Sequence, residues 1–152
     1  IDIPQEKLDL ILELRKQYPV YLLSNTNRPH WDFICKQSFN ARGHRLEDYF
    51  VKAFLSFEMH LAKPDKAIFE QMLAESGLNP EETLFIDDSE ANCKAAQEVG
   101  IRTVHYHIGD DLKKIFILKQ SPQAPSIPFL PVLPPSVSLT AYIGVTASCL
   151  NR

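Results

Sequence analysis

Residues 83–92 read TLFIDDSEAN, and this stretch decides the fold. Thr83–Asp87 is a short and nearly all-apolar run, which is typical of a parallel strand buried on both faces. A helix is predicted to leave that strand at Ser89–Val99, and its alanines are small enough to lie close against a sheet. Gly100 ends the helix, as glycine often does. The stretch therefore predicts a strand, a loop that opens with two adjacent carboxylates, and a helix.

The same alternation continues on both sides of this unit. Three more strands are predicted, at Val20–Ser24, Ala53–Phe57 and Thr103–His107. Helices are predicted around them, at Gln5–Gln17, Pro29–Gln37, Asp65–Ser76 and from Asp110 to about Leu118, with a short helical turn over 79–82. Strands that alternate with amphipathic helices at this spacing indicate an α/β fold, in which a parallel sheet carries helices on both faces.

Composition excludes some classes of partner. The chain has 152 residues and a net charge of −3, so it lacks the broad positive field that holds nucleic acid or an anionic membrane. We therefore predict no nucleic acid and no membrane as partners, and the oligomeric state stays open. Three cysteines without a CxxC pair predict reduced thiols in a cytoplasmic protein. No basic and apolar leader marks secretion.

The charged residues divide the chain in two. Residues 120–151 carry no charged side chain, and six prolines fall within 14 positions there. Proline removes backbone donors and opposes helix formation, so a disordered, proline-rich tail is predicted at 120–152, after a folded domain at 1–119. Residues 120–152 could instead be a proline-rich docking segment or a sequence foreign to the domain. The apolar run Val137–Leu150 is shorter than the roughly 20 residues that a bilayer-spanning helix needs.

Polar side chains of distinct types follow three of the predicted strands. Ser24 and Asn25 close the first, Lys63 comes after the second, and Asp87 and Asp88 close the third. Because the carboxyl ends of parallel strands meet at one edge of a sheet, these groups are expected to lie together. Carboxylates suit Mg²⁺, a lysine supplies a point charge for a phosphate dianion, and a hydroxyl can hold a phosphoryl oxygen. The sequence thus predicts a magnesium and phosphate site.

Each of these residues also has a simpler interpretation. Ser24 and Asn25 could cap the turn that follows them, and Lys63 could be a solvated loop lysine. The adjacent acids Asp87 and Asp88 are harder to dismiss, because two like charges after an apolar strand repel each other unless a cation is near. The occurrence of all five in this order favours a site.

Three stretches resemble motifs of the haloacid dehalogenase (HAD) superfamily of hydrolases. Residues 21–27 (YLLSNTN) resemble its second motif, and Lys63-Pro64-Asp65 with Phe69 resembles its third. Residues 84–92, followed by Ala95-Ala96 and Gly100-Ile101, resemble its acidic fourth motif, which is the most specific of the three. The similarity covers roughly residues 3–117 and implies a Rossmann-like α/β core.

By this resemblance the protein is a magnesium-dependent phosphatase that hydrolyses a small phosphorylated metabolite through an aspartyl-phosphate. Ser24 would bind the phosphoryl group, with Asn25 beside it. Lys63 would be catalytic together with Ser24, because it neutralises both the phosphate and the nucleophile. Asp88 would be the direct Mg²⁺ ligand, with Asp87 in support.

The first motif of the family, an Asp-x-Asp that supplies the nucleophile, does not occur in this sequence. The nine aspartates lie at positions 2, 9, 32, 48, 65, 87, 88, 110 and 111. The resemblance implies that this motif, its strand and the cap lie outside these residues, so the chain by itself is predicted to be inactive. The missing strand would lie between the strands at Val20–Ser24 and Thr83–Asp87, and its absence would leave two strand edges unpaired.

Other functions fit the sequence less well or stay open. A receiver-type phosphoacceptor domain carries its acidic pair first and its lysine last, which is the reverse of the order here. A P-loop nucleotidase needs G-x-x-x-x-G-K-[ST], which is absent. A non-catalytic HAD-like or receiver-like binding or scaffold domain stays open. His105 and His107 share one face of a strand and could bind a metal, but packing is favoured without a third ligand.

Overall fold

The computed structural model describes residues 3–114 and 140–141. Within those residues the chain forms five strands, named in chain order: β1 Tyr21–Ser24, β2 Lys52–Leu55, β3 Thr83–Asp87, β4 Arg102–His105 and β5 Thr140–Ala141. Six α-helices accompany them: α1 Gln5–Arg15, α2 Arg28–Ile34, α3 Leu46–Tyr49, α4 Ser56–Met59, α5 Lys66–Ser76 and α6 Glu90–Glu98. A π-helical segment, Cys35–Phe39, continues α2, and a 3₁₀ turn, Pro80–Glu82, precedes β3.

Every strand pair is parallel, which confirms the predicted α/β class. β1 pairs with β2 over four residues, from Tyr21 opposite Lys52 to Ser24 opposite Leu55. β3 lies between β4 and β5, and its contact with β5 is limited to Thr83 and Leu84. Among the described strands, β1 and β3 share no hydrogen-bonded ladder. The strands therefore form two hydrogen-bonded sets.

Two hydrophobic cores hold these sets together, one on each face. Side chains alternate along a strand, so Leu22 and Leu84 face one core while Leu23 and Phe85 face the other. The first core is completed by residues of α1 and α2 and by the aromatic residues Phe39, Tyr49 and Phe50. The second core is completed by residues of α5 and α6. Helices thus cover both faces, as predicted, and each core contains residues from both strand sets.

Several boundaries differ from the sequence prediction for local reasons. β2 ends at Leu55 instead of Phe57, because the Ser56 hydroxyl accepts from the Thr26 amide at 2.9 Å and donates to the Thr26 carbonyl at 3.0 Å, and the chain turns into α4. α2 begins early because the Asn27 side chain caps it by accepting the His30 amide at 3.0 Å.

Other differences concern whole elements. The short helix α3 was not predicted, and β4 ends at His105, two residues before the predicted end. The helix expected from Asp110 is present over residues 112–114, and its remainder lies outside the described residues. Most of the tail predicted at 120–152 also lies outside them, and its two described residues form β5.

Two of the three cysteines lie in the part of the chain that the structure describes. Cys35 and Cys93 carry reduced thiols, and Cys149 lies outside the described residues. Burial, with a smaller effect from the Asp32 charge, raises the pKa of Cys35 to about 11, so this thiol is protonated at neutral pH. In the part of the chain that the structure covers, none of the helices has the length and apolarity needed to cross a bilayer.

Candidate active site

Lys63 connects the carboxyl ends of the two strand sets. Its side chain is completely buried, and its Nζ donates to the Leu23 carbonyl at 3.1 Å and to Asp87 Oδ2 at 2.8 Å. Leu23 belongs to β1 and Asp87 ends β3, so the amine bridges strands that have no ladder between them. The expectation that the strand-end groups share one edge of the sheet is met for this lysine and this aspartate.

The carboxylate of Asp87 accepts four hydrogen bonds. Its Oδ1 accepts from the Ser89 amide at 2.8 Å and from Asn92 Nδ2 at 3.2 Å, and its Oδ2 accepts from Lys63 and again from Asn92 Nδ2 at 3.2 Å. The side chain has no exposed surface. For Asp87, Lys63 therefore supplies the positive charge that the sequence analysis expected near the acidic pair.

Asn25 holds the backbone of Lys63. Its Nδ2 donates to the Lys63 carbonyl at 2.8 Å, and its Oδ1 accepts the Lys63 amide at 2.9 Å. Both polar atoms of the side chain are thus engaged, although the sequence analysis assigned Asn25 to phosphate binding. Of its side-chain donors, only the second hydrogen on Nδ2 is left for contact with an anion. The side chain instead fixes the loop that carries the lysine.

Ser24 and Asp88 lie next to the residues that Lys63 joins. Ser24 follows Leu23, is 4% exposed, and its hydroxyl forms no hydrogen bond to other residues within 3–114. Asp88 follows Asp87 and is half-buried, so it is the more accessible of the two acids. Its backbone carbonyl lies 3.0 Å from His105 Nε2. The structure thus places all the predicted site residues at the carboxyl ends of β1 and β3 or directly beside them.

The two histidines of β4 and its following loop lie side by side. The ring centroids of His105 and His107 are 4.4 Å apart, and His107 Nδ1 is 3.5 Å from Asp110 Oδ2. Within residues 3–114 and 140–141 no group of three or more His, Cys, Asp or Glu residues is arranged to hold a metal ion.

The donor set fits magnesium rather than a transition metal. Mg²⁺ prefers hard oxygen ligands and is commonly held by one or two carboxylates, with water and phosphate oxygens completing its shell. Asp88 offers such a carboxylate at a strand end, and the phosphate-directed groups Ser24 and Lys63 lie at the same edge. The carboxylate oxygens of Asp87 already accept four hydrogen bonds from three donor groups, so Asp87 is poorly placed to be a direct ligand.

Sequence reasoning gave no role to Asn92. This residue lies in the first turn of α6, is 7% exposed, and bonds both oxygens of Asp87. A polar amide on a helix face otherwise formed by Cys93, Ala95 and Ala96 is a signal that could have identified it. Its target could not be read from the sequence, since this depends on how α6 leaves β3.

Comparisons with known proteins agree with this geometry. A family model described as haloacid dehalogenase-like hydrolase matches residues 5–100. The chain is 40% identical over 113 residues to the D-ribitol-5-phosphate phosphatase of Bacteroides thetaiotaomicron, covering 74% of this chain and 55% of that protein. The chain thus spans little more than half the length of this curated relative.

Two solved structures are also similar. One is a HAD family enzyme from Bacteroides thetaiotaomicron in complex with magnesium and inorganic phosphate, with 52% identity, a TM-score of 0.74, and coverage of 76% of this chain and 59% of that one. The other is a predicted HAD-like family hydrolase from Porphyromonas gingivalis, with 39% identity, a TM-score of 0.71, and coverage of 78% and 58%.

Proposed function

The chain belongs to the haloacid dehalogenase-like hydrolases, and from that premise we propose that the protein hydrolyses phosphomonoesters of a small metabolite with the help of Mg²⁺. The observation that carries the proposal is the buried Lys63, which joins the Leu23 carbonyl to Asp87. This bridge gathers a hydroxyl, an amine and two acids at one edge of the sheet. Phosphoryl transfer depends mainly on such positioning and on charge neutralisation.

Each residue has a distinct part in this proposal. Ser24 presents its hydroxyl to a phosphoryl oxygen, and Lys63 neutralises negative charge on the phosphate and the nucleophile. Asp88 is the carboxylate that would hold Mg²⁺, and Asp87 supports the site by holding Lys63. Asn25 fixes the backbone of the lysine. When bound, the metal supplies positive charge next to the phosphoryl group.

The nucleophile is the element that these residues do not supply. An aspartyl-phosphate route requires a carboxylate at the phosphorus, and the 152 residues contain no Asp-x-Asp pair. We therefore expect the 152-residue chain by itself to show no turnover. The second candidate function, a HAD-like binding or scaffold domain without catalysis, stays open, because only the residues that would carry this motif distinguish the two.

The substrate class is inferred from the relatives. The relative with 40% identity is named for D-ribitol 5-phosphate, and a neighbour with 52% identity binds magnesium and inorganic phosphate. These support a phosphorylated sugar or sugar alcohol as the substrate, with Mg²⁺ as the cofactor. The net charge of −3 provides no broad positive field, so an anionic substrate would have to be held by local groups, and neither nucleic acid nor membrane is proposed as a partner. The cytoplasmic location rests on cysteine usage and stays a prediction.

The test is a hydrolysis assay on the protein in its full natural length. We expect phosphate release from p-nitrophenyl phosphate and from pentitol phosphates, dependent on Mg²⁺ and reduced at least about 100-fold by Asp88→Asn. Asp111→Asn, which changes an exposed acid outside the site, is the matched control and should keep the activity. A protein that binds inorganic phosphate but hydrolyses none of these esters would instead be a binding domain.

A further inference from the structure

We infer that Asn92 is a positioning residue, which fixes the Asp87 carboxylate so that Lys63 is held at the phosphate-binding edge. The inference rests on the proposed function, because it explains how the lysine of that site is kept in place. Its evidence is the pair of hydrogen bonds from Asn92 Nδ2 to both Asp87 oxygens, each 3.2 Å long.

The first step concerns the freedom of the Asp87 side chain. The terminal torsion of an aspartate is broad, so a carboxylate without fixed partners can rotate and present either oxygen. The Ser89 amide holds Oδ1 at 2.8 Å but leaves Oδ2 to be oriented by other groups. An amide nitrogen placed at equal distance from both oxygens restricts that rotation. Asn92 therefore contributes, together with the Ser89 amide and Lys63, to where Oδ2 points.

The second step concerns what Oδ2 does. It accepts Lys63 Nζ at 2.8 Å, and the lysine side chain is completely buried. The position of the amine is thus set in part by Asp87 Oδ2 and by the Leu23 carbonyl, which is 3.1 Å away. The carbonyl belongs to a strand and cannot move alone. A shift of the carboxylate would therefore displace the amine relative to Ser24.

The third step is that Asn92 is itself fixed. Ser89 caps α6, and its hydroxyl accepts the Asn92 backbone amide at 3.3 Å. The side chain is 7% exposed, and the helix face beside it packs through Ala95 and Ala96 against the core. Since a carboxylate only accepts, the amide must present its NH₂ group to Asp87. An immobile donor of this kind can set the orientation of its partner.

The experiment compares two amide deletions on the same helix in the protein at its full natural length. Asn92→Leu keeps the branched shape of the side chain and removes both bonds to Asp87. Gln97→Leu is the matched control, because Gln97 donates to the Thr103 hydroxyl at 2.6 Å, away from the site. Affinity for inorganic phosphate in the presence of Mg²⁺ is measured by calorimetry, and kcat and KM are measured with p-nitrophenyl phosphate.

We expect Asn92→Leu to weaken phosphate binding and to lower kcat about 10-fold to 100-fold, as is usual when a partner of a site residue is removed. Gln97→Leu should change both by less than about twofold. Should Asn92→Leu fail to fold, Asn92→Ser replaces it, since a serine hydroxyl is too short to reach both oxygens and suits a first helical turn. A lower kcat at an unchanged melting temperature separates positioning from a structural role.

A double-mutant cycle decides whether Asn92 acts through the lysine. In a Lys63→Met background, Asn92→Leu should weaken phosphate binding by less than about threefold, because the two changes remove the same linkage. The inference about Asn92 would be overturned, and the proposed function left standing, if Asn92→Leu weakened phosphate binding equally in both backgrounds. The same holds if Asn92→Leu changed neither phosphate affinity nor kcat. A Lys63→Met protein that binds inorganic phosphate and hydrolyses p-nitrophenyl phosphate like the unmodified protein would overturn the proposed function instead.

Discussion

Lys63 and Asp87 form an ion pair in which neither side chain is exposed to solvent. Removing two charges from water costs several kcal/mol per ion, roughly, and the attraction repays this only when the remaining hydrogen bonds are satisfied. Here Asp87 accepts four hydrogen bonds, and Lys63 also donates to the Leu23 carbonyl. Such a pair is weak evidence for stability, so we attribute it to the proposed chemistry.

Breaking this pair is predicted to destabilise the fold more than removing the neighbouring acid. Asp87→Asn leaves a buried ammonium without its counter-charge, and the expected loss in the free energy of unfolding is about 3–5 kcal/mol. Asp88→Asn, at a half-buried position, should cost about 1 kcal/mol or less. Urea unfolding of both variants without Mg²⁺ measures the difference. Equally small losses of unfolding free energy in the two variants would show that water or another group compensates the buried charge of Lys63.

The sequence predicted that these polar groups share one edge of the sheet, but not how they are connected. Ser24, Lys63, Asp87 and Asp88 were accessible to prediction, because a polar residue after an apolar strand run has a known place at the sheet edge. The burial of Lys63 was not, since its acceptors lie 40 and 24 residues away along the chain. A contact of that range depends on the packing of whole elements, which local patterns do not encode.

Element types followed from the sequence more reliably than their ends. The apolar run of β3 has the predicted bounds, because turn and cap residues delimit it on both sides. The end of β2 depends instead on the bond between Ser56 and Thr26, 30 residues apart. The π-helical segment and α3 lack a clear apolar period, and tertiary packing of Phe39 and Tyr49 determines them.

The C-terminal end of α5 allows a prediction about a single element. Gly77 has φ +67°, and its amide donates to the Leu73 carbonyl at 3.0 Å. A Cβ added there meets nothing within 4 Å, so Gly77→Ala should cost only the backbone strain, about 1–2 kcal/mol. Gly77→Asn should cost less, because asparagine tolerates the left-handed region.

Chemical denaturation of the two Gly77 variants checks this prediction. Both substitutions keep the hydrogen bond to Leu73, so a difference between them reports the conformational preference of the residue. An alanine variant as stable as the unmodified protein would mean that the end of α5 adjusts to a right-handed conformation.

At the scale of the molecule, two strand sets share two cores without a ladder between them. Helices on both faces and residues such as Leu22 and Leu84 hold the sets together through side-chain packing. At their carboxyl ends the two sets are linked by the hydrogen bonds that Lys63 donates to Leu23 and Asp87. The site is thus built at the place where the sheet is interrupted, which the family resemblance had indicated as the position of a further strand.

This interruption predicts how the 152-residue chain behaves by itself. β1 is buried along its length but pairs only with β2 among the described strands, and β3 meets β5 through two residues. Buried strand edges with unpaired backbone groups lower stability and favour association with other chains. We expect a broad thermal transition, with far-UV and near-UV circular dichroism changing at different temperatures, and self-association in light scattering. A monomer in which both signals change together in one sharp, reversible transition would contradict this prediction, because it would require that side-chain packing alone couples the two strand sets.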